Sequence, residues 1–137
     1  LVKLVKFWNG NLAESARFKS FALETKCVRF FSKIGFDSLG QGLLKFYDGV
    51  AHVAGKSTTL DWGFTFLGNR FDMDLGWLEC EVPDVAGTGS NITKDVDGHR
   101  KGEFINQALR SRDRIVEAGN ASSEGNAIEK VRTALGM

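Results

Sequence analysis

The rings in this chain are unevenly placed. Of its eleven Phe, three Trp and one Tyr, all except Phe104 fall at or before Trp77. A buried Phe, Tyr or Trp removes about 150–250 Å² from water, so these side chains dominate the energetics of any surface they enter. A length of 137 residues corresponds to one domain with a real core. The front of the chain must therefore either supply that core or leave ring surface for something else to cover. The second outcome is the expectation here, because one stripe per helix does not use all the rings.

Charge is divided as well. The net value of +1 conceals about +5 over residues 1–57, −6 over 58–97 and +2 over 98–137. Basic residues are interleaved with acids rather than gathered, and the pI is near 8.0, so this is not a nucleic-acid profile. Complementarity between basic helices and an acidic sheet accounts for the division. Hydrophobic residues make up 42% and charged ones 26%, which suits a soluble globular chain. No run of about 18 uncharged apolar residues occurs, so no membrane span is expected.

Cys27 and Cys80 are too few for a disulfide scaffold or a zinc cluster and are expected as buried thiols. Asn91-Ile92-Thr93 and Asn120-Ala121-Ser122 are formal glycosylation sequons, which by themselves do not fix a compartment. The first residue is Leu, as expected of a processed chain or a part of a longer one; organellar import with transit removal is one explanation.

Along the chain, "LVKLVKFWNG" places Lys3 and Lys6 among apolar residues that include Phe7 and Trp8. It reads as a leading turn or strand closing over the core, with a membrane-surface contact through Lys3, Lys6 and Trp8 as the alternative. Asn11-x-x-Glu14 has capping-box spacing and opens a predicted helix to about Lys33. Its core stripe is Leu12, Ala16, Leu23, Cys27, Phe30 and Ile34. At 100° per residue Phe18 and Phe21 then fall on the far side, a second aromatic patch that calls for a partner or a covering element.

A second capping box, Ser38-x-x-Gln41, opens a helix whose predicted face runs from Leu39 through Leu43, Leu44, Tyr47 and Val50 to Ala54. From Thr58 the period becomes 2. Leu60, Trp62, Phe64 and Phe66, then Phe71, Met73 and Leu75, predict a β-hairpin, which Leu78, Cys80 and Val82 extend after a phase shift at Gly76-Trp77. Residues 83–102 read as a long Gly-rich exposed loop. Two helices close the chain, at about Glu103–Ala118 and Glu124–Leu135. In the first, Arg112 falls inside the apolar arc and must find a carboxylate or reach the rim.

Candidate chemistry is sparse. In "DGVAHVAGKSTT" five residues separate Gly49 from Gly55, one more than a phosphate loop allows, and Gly55 reads as a helix cap. Asp61, Asp72 and Asp74 share the polar face of the predicted hairpin, a pattern that half-exposed alternation produces without a bound ion. "DVDGHRKGE" puts Arg100 where a calcium loop needs Gly. His52 could ligate a haem or pigment, though a surface imidazole near Asp48 is the plainer account. Neither His52 nor His99 adjoins a nucleophile in a recognisable arrangement. Arg110, Arg112 and Arg114 alternate along a helix and are expected to diverge.

The sequence thus predicts a single α+β domain over residues 1–137, made of two N-terminal helices, an antiparallel two- or three-stranded hairpin or meander, and two C-terminal helices. It divides into an aromatic-rich portion 1–82, a loop 83–102 and a helical pair 103–137. The expected role is a non-catalytic subunit, with neither cofactor nor metal, docking into a larger assembly, membrane-associated ones included, through Phe7, Trp8, Phe18, Phe21 and the long loop. The rivals are a peripheral membrane protein anchored by its N-terminus and a small enzyme or ligand binder using the three aspartates. Lys56→Ala is expected to leave ATP binding unchanged in a titration, and a loss would restore the phosphate-loop reading.

Overall fold

The computed structural model describes residues 1–32, 34–53 and 98–137. Five α-helices occur among them: α1 Val2–Asn11, α2 Ser20–Phe31, α3 Leu39–Val53, α4 Gly98–Gly119 and α5 Glu124–Ala134. A 3-10 turn, Glu14–Ala16, lies between α1 and α2. No strand occurs among the described residues, which corrects the α+β expectation to a helical architecture. The sheet was inferred only from period-2 alternation in 60–82; that segment, Asp61, Asp72, Asp74, Cys80 and the Gly55-Lys56-Ser57 stretch lie outside the described residues. So do positions 83–97 of the expected loop, while 98–102 are the first turn of α4.

The N-terminal stretch is a helix, not a turn or strand. Leu1 accepts from the N–H of Leu4 and of Val5, and Val5 and Trp8 turn inward one helical turn apart. Asn9-Gly10-Asn11 carries weak helix formers and ends the element, with Leu12 extended. The one helix expected from Asn11 to Lys33 is therefore broken. Asn11 does not cap it; its Nδ2 donates to Leu135 O at 2.9 Å, tying the end of α1 to the end of α5.

Ser38 caps α3 as expected, while the returning bond of Gln41 falls one residue before the cap. The Gln41 N–H donates to Ser38 Oγ at 3.2 Å, and Gln41 Oε1 accepts from the Asp37 N–H at 2.6 Å. Helix α3 that follows is buried on nearly every side from Lys45 to Val50, so it is the central element rather than an amphipathic cover. Lys45 reaches out of this interior to donate to Gly35 O at 2.7 Å.

Helix α4 packs along both α3 and α5. Its core face is Phe104, Ala108 and Ser111, with Arg112 beside it. As required of a charge in that position, Arg112 Nη1 meets the buried Asp48 at 3.2 Å and Nη2 meets Asp113 at 3.3 Å. Helix α5 begins at Ser123, whose hydroxyl accepts from the Asn126 N–H, and ends in a Schellman motif. There Gly136 adopts φ 76°, its N–H donates to Thr133 O at 3.1 Å, and the Met137 N–H donates to Arg132 O at 2.9 Å.

The core closes on Trp8. Its ring meets Tyr47, Phe104 and Phe46 edge-on at centroid separations of 5.0, 5.2 and 6.1 Å. Its indole N–H donates to Ser111 Oγ at 2.9 Å, and that hydroxyl donates to Ala134 O at 2.8 Å. One serine thereby joins α1, α4 and α5. Ser111→Ala would strand the indole N–H and the Ala134 carbonyl, so it should destabilise the fold by about 1–3 kcal/mol in urea unfolding, with far-UV circular dichroism unchanged.

Candidate functional site

The four residues expected to face a partner divide into two pairs. Trp8 and Phe18 are 1% and 2% exposed and belong to the core, whereas Phe7 and Phe21 are each 48% exposed. Phe18 is turned inward by Asn9. Asn9 Nδ2 donates to Phe18 O and Asn9 Oδ1 accepts from the Phe18 N–H, both at 2.9 Å, so one side-chain amide pairs with one backbone residue as a strand neighbour would. The ring then stacks on Phe104 at 4.3 Å, with 16° between planes. Helical extrapolation placed it outside because the chain was assumed continuous through Leu12–Lys19.

The expected core stripe holds despite that break: Leu12, Ala16, Leu23, Cys27, Phe30 and Ile34 are all buried. Phe21 and Val28 lie on the opposite side of α2, two turns apart, and both are exposed. Lys6 of α1 pairs with Glu24 of α2 at 2.7 Å, fixing those helices side by side. An exposed pair of this kind contributes little stability by itself. Its effect is to place Phe7, which follows Lys6, on the same pair of helices as Phe21.

Lys3 is exposed, but Lys6 is engaged by Glu24 and Trp8 is enclosed, so the three expected membrane-surface residues do not form one face. Among the described residues no helix is long and apolar enough to cross a membrane. Nor, among them, do three or more potential metal-ligating side chains cluster.

A second apolar surface was not anticipated. A groove of about 640 Å³ runs between α1, α3, α4 and α5, lined mainly by Leu4, Leu39, Leu44, Ile115 and Val131. Leu39, expected on the inner face of its helix, is 54% exposed, and Ile128 is 52% exposed. Periodicity places Leu39 on an apolar face without showing what covers it. Leu4 joins this groove to the Phe7 side of α1, since positions three apart are neighbours on a helix.

The buried reactive groups are held neutral. Burial, with the Glu24 carboxylate adding to it, pushes the Cys27 thiol up to about 12, so it is not a thiolate nucleophile near neutrality. Burial also raises the Tyr47 phenol, partly offset by Ser111, although that hydroxyl makes no completed hydrogen bond. Ser111 Oγ gives its proton to Ala134 O and accepts from Trp8, so it has no proton to offer the Tyr47 oxygen.

With this geometry in view, no known protein family, curated protein or solved structure matches the chain.

Because Cys27 and Tyr47 ionise more readily when unfolded, the stability they contribute is complete below their ordinary values of 9.0 and 10.0. It should be lost as pH rises above about 9, where only the unfolded chain releases its protons. Urea midpoints should fall between pH 8 and pH 11, and Cys27→Ala should flatten the earlier part of that fall.

Proposed function

We propose that this chain is a non-catalytic interaction subunit that docks into a larger protein assembly through the outer face of α1 and α2. The observation that carries the reading is the pair Phe7 and Phe21, each about half exposed on helices that Lys6 and Glu24 hold together. Val28 extends the patch along α2. Two large rings on a fixed pair of helices form an anchor of the kind that dominates protein interfaces, where a few aromatic residues carry most of the affinity. Ring surface is costly to leave in water when the interior already holds Trp8, Phe18, Phe30, Phe46, Tyr47 and Phe104.

A photo-crosslinking residue at Val28 should capture one defined protein, and a binding titration with that protein should then compare wild type with Phe7→Ser/Phe21→Ser. The double variant is expected to keep its unfolding free energy to within about 0.5 kcal/mol per site, because neither ring is core. Its affinity should fall about 30-fold or more, the effect of losing an anchor worth about 2 kcal/mol. Unchanged affinity would overturn the reading. So would flotation of the wild type with anionic vesicles that the double variant no longer shows, which would favour the membrane surface.

A further inference from the structure

A separate cleft, on the other side of α4 from Asp48, has the make-up of a small-ligand site. It holds about 440 Å³ between the end of α1, the middle of α4 and the end of α5, within the range of pockets that enclose small molecules. Leu12, Ala13 and Ala134 give it apolar wall, and Gln107, Arg110 and Arg114 stand along one side of it on α4. Spacings of three and four place those three side chains on one helix face. The expectation that Arg110, Arg112 and Arg114 diverge is thus half right: Arg112 turns to Asp48, while its two neighbours share the cleft.

The charges of the rim are unequally matched. Glu117 is engaged by Arg114 at 3.0 Å and by Lys130 at 2.8 Å. Asp113 faces Arg112 at 3.3 Å. Arg110 has no side-chain partner among the described residues, and the Gln107 amide beside it is likewise unengaged. One guanidinium and one amide are therefore presented together over an apolar wall.

The end of α5 also borders this cleft, and the carbonyls at a helix C-terminus ordinarily repel an anion. Here they are taken up. Arg132 O and Thr133 O accept from Met137 and Gly136, Ala134 O accepts from Ser111, and Leu135 O accepts from Asn11. The obstacle to negative charge is correspondingly reduced.

We propose that this cleft binds a small organic carboxylate, its anionic end held by Arg110 and Gln107 and its apolar body against Leu12 and Ala13. A guanidinium meets a carboxylate in a two-bond fork. A dianionic phosphate, by contrast, calls for several cations, and Arg114 is shared with Glu117. The site is independent of the Phe7 and Phe21 surface.

The test is a ligand-observed NMR and calorimetric titration of the whole chain with benzoate, benzamide and inorganic phosphate. Benzoate should bind, with benzamide and phosphate each weaker by about tenfold or more. Arg110→Gln should weaken benzoate by about tenfold, Ala13→Trp should abolish binding by filling the apolar half, and Lys3→Gln, away from the cleft, should change nothing. Unchanged circular dichroism and melting would show that Arg110→Gln and Ala13→Trp remain folded. Absence of benzoate binding, equal binding of benzamide or phosphate, or indifference to Arg110→Gln would each overturn the proposal.

Discussion

Trp8 can occupy the centre of this molecule only because its one polar atom has a destination. An indole ring buries more apolar surface than any other side chain, but a buried N–H without an acceptor offsets much of that gain. Ser111 supplies the acceptor and passes its own proton to Ala134 O. The direction of this relay matters. The hydroxyl's single proton goes to Ala134 O and so is not offered to Tyr47, whose own hydroxyl has no hydrogen-bond partner. The three helices that meet at Ser111 come from opposite ends of the chain, and the joint makes α1 part of the core rather than an appendage.

Asn9 does comparable work over a shorter distance. Its two hydrogen bonds to Phe18 hold the turn between α1 and α2 in the one orientation that aims the Phe18 ring at Phe104. Arg100 strengthens the same turn from α4 by donating to Glu14 O and Arg17 O. The lone late aromatic, Phe104, then lies between Trp8 and Phe18. The one ring that α4 offers thereby joins a cluster whose other members come from α1, α3 and the turn before α2.

What could be read in advance follows from how local each signal is. Ser38 and Gln41 contact backbone within three or four residues, so their motif sufficed to place the start of α3. Asn11 and Glu14 have the same spacing, yet Asn11 is drawn to a carbonyl 124 residues away. No local rule ranks a distant partner against a near one. Misreading that motif carried α2 back through the 3-10 turn to Asn11, and the error passed into the placement of Phe18. Burial of Lys45 and Asp48 was also hidden, since it arises from α3 being surrounded, a property of packing rather than of period. The sheet was argued from alternation alone, with no partner element identified, and the elements among the described residues are helices with no strand.

Once Trp8 and Phe18 are assigned to the interior, the exposed rings among the described residues are Phe7 and Phe21, with Phe36 less exposed at the entry to α3. That remainder is more informative than the original excess. A chain that can rotate Phe18 inward with a single asparagine has the means to hide rings, and isolated exposed apolar residues are ordinary. Phe7 and Phe21, however, sit on adjacent helices joined by an ion pair, and Phe7 shares α1 with the Leu4 wall of the apolar groove. Continuity between such surfaces separates an anchor from scattered hydrophobic residues, because an interface gains from rings only where one partner can desolvate them together. The charged cleft meets α1 near its end, through Trp8 and Asn11, on the side of the helix that Leu4 also occupies. An apolar groove and a charged cleft therefore border the same helix at different heights, and what separates them is distance along α1 rather than its two faces.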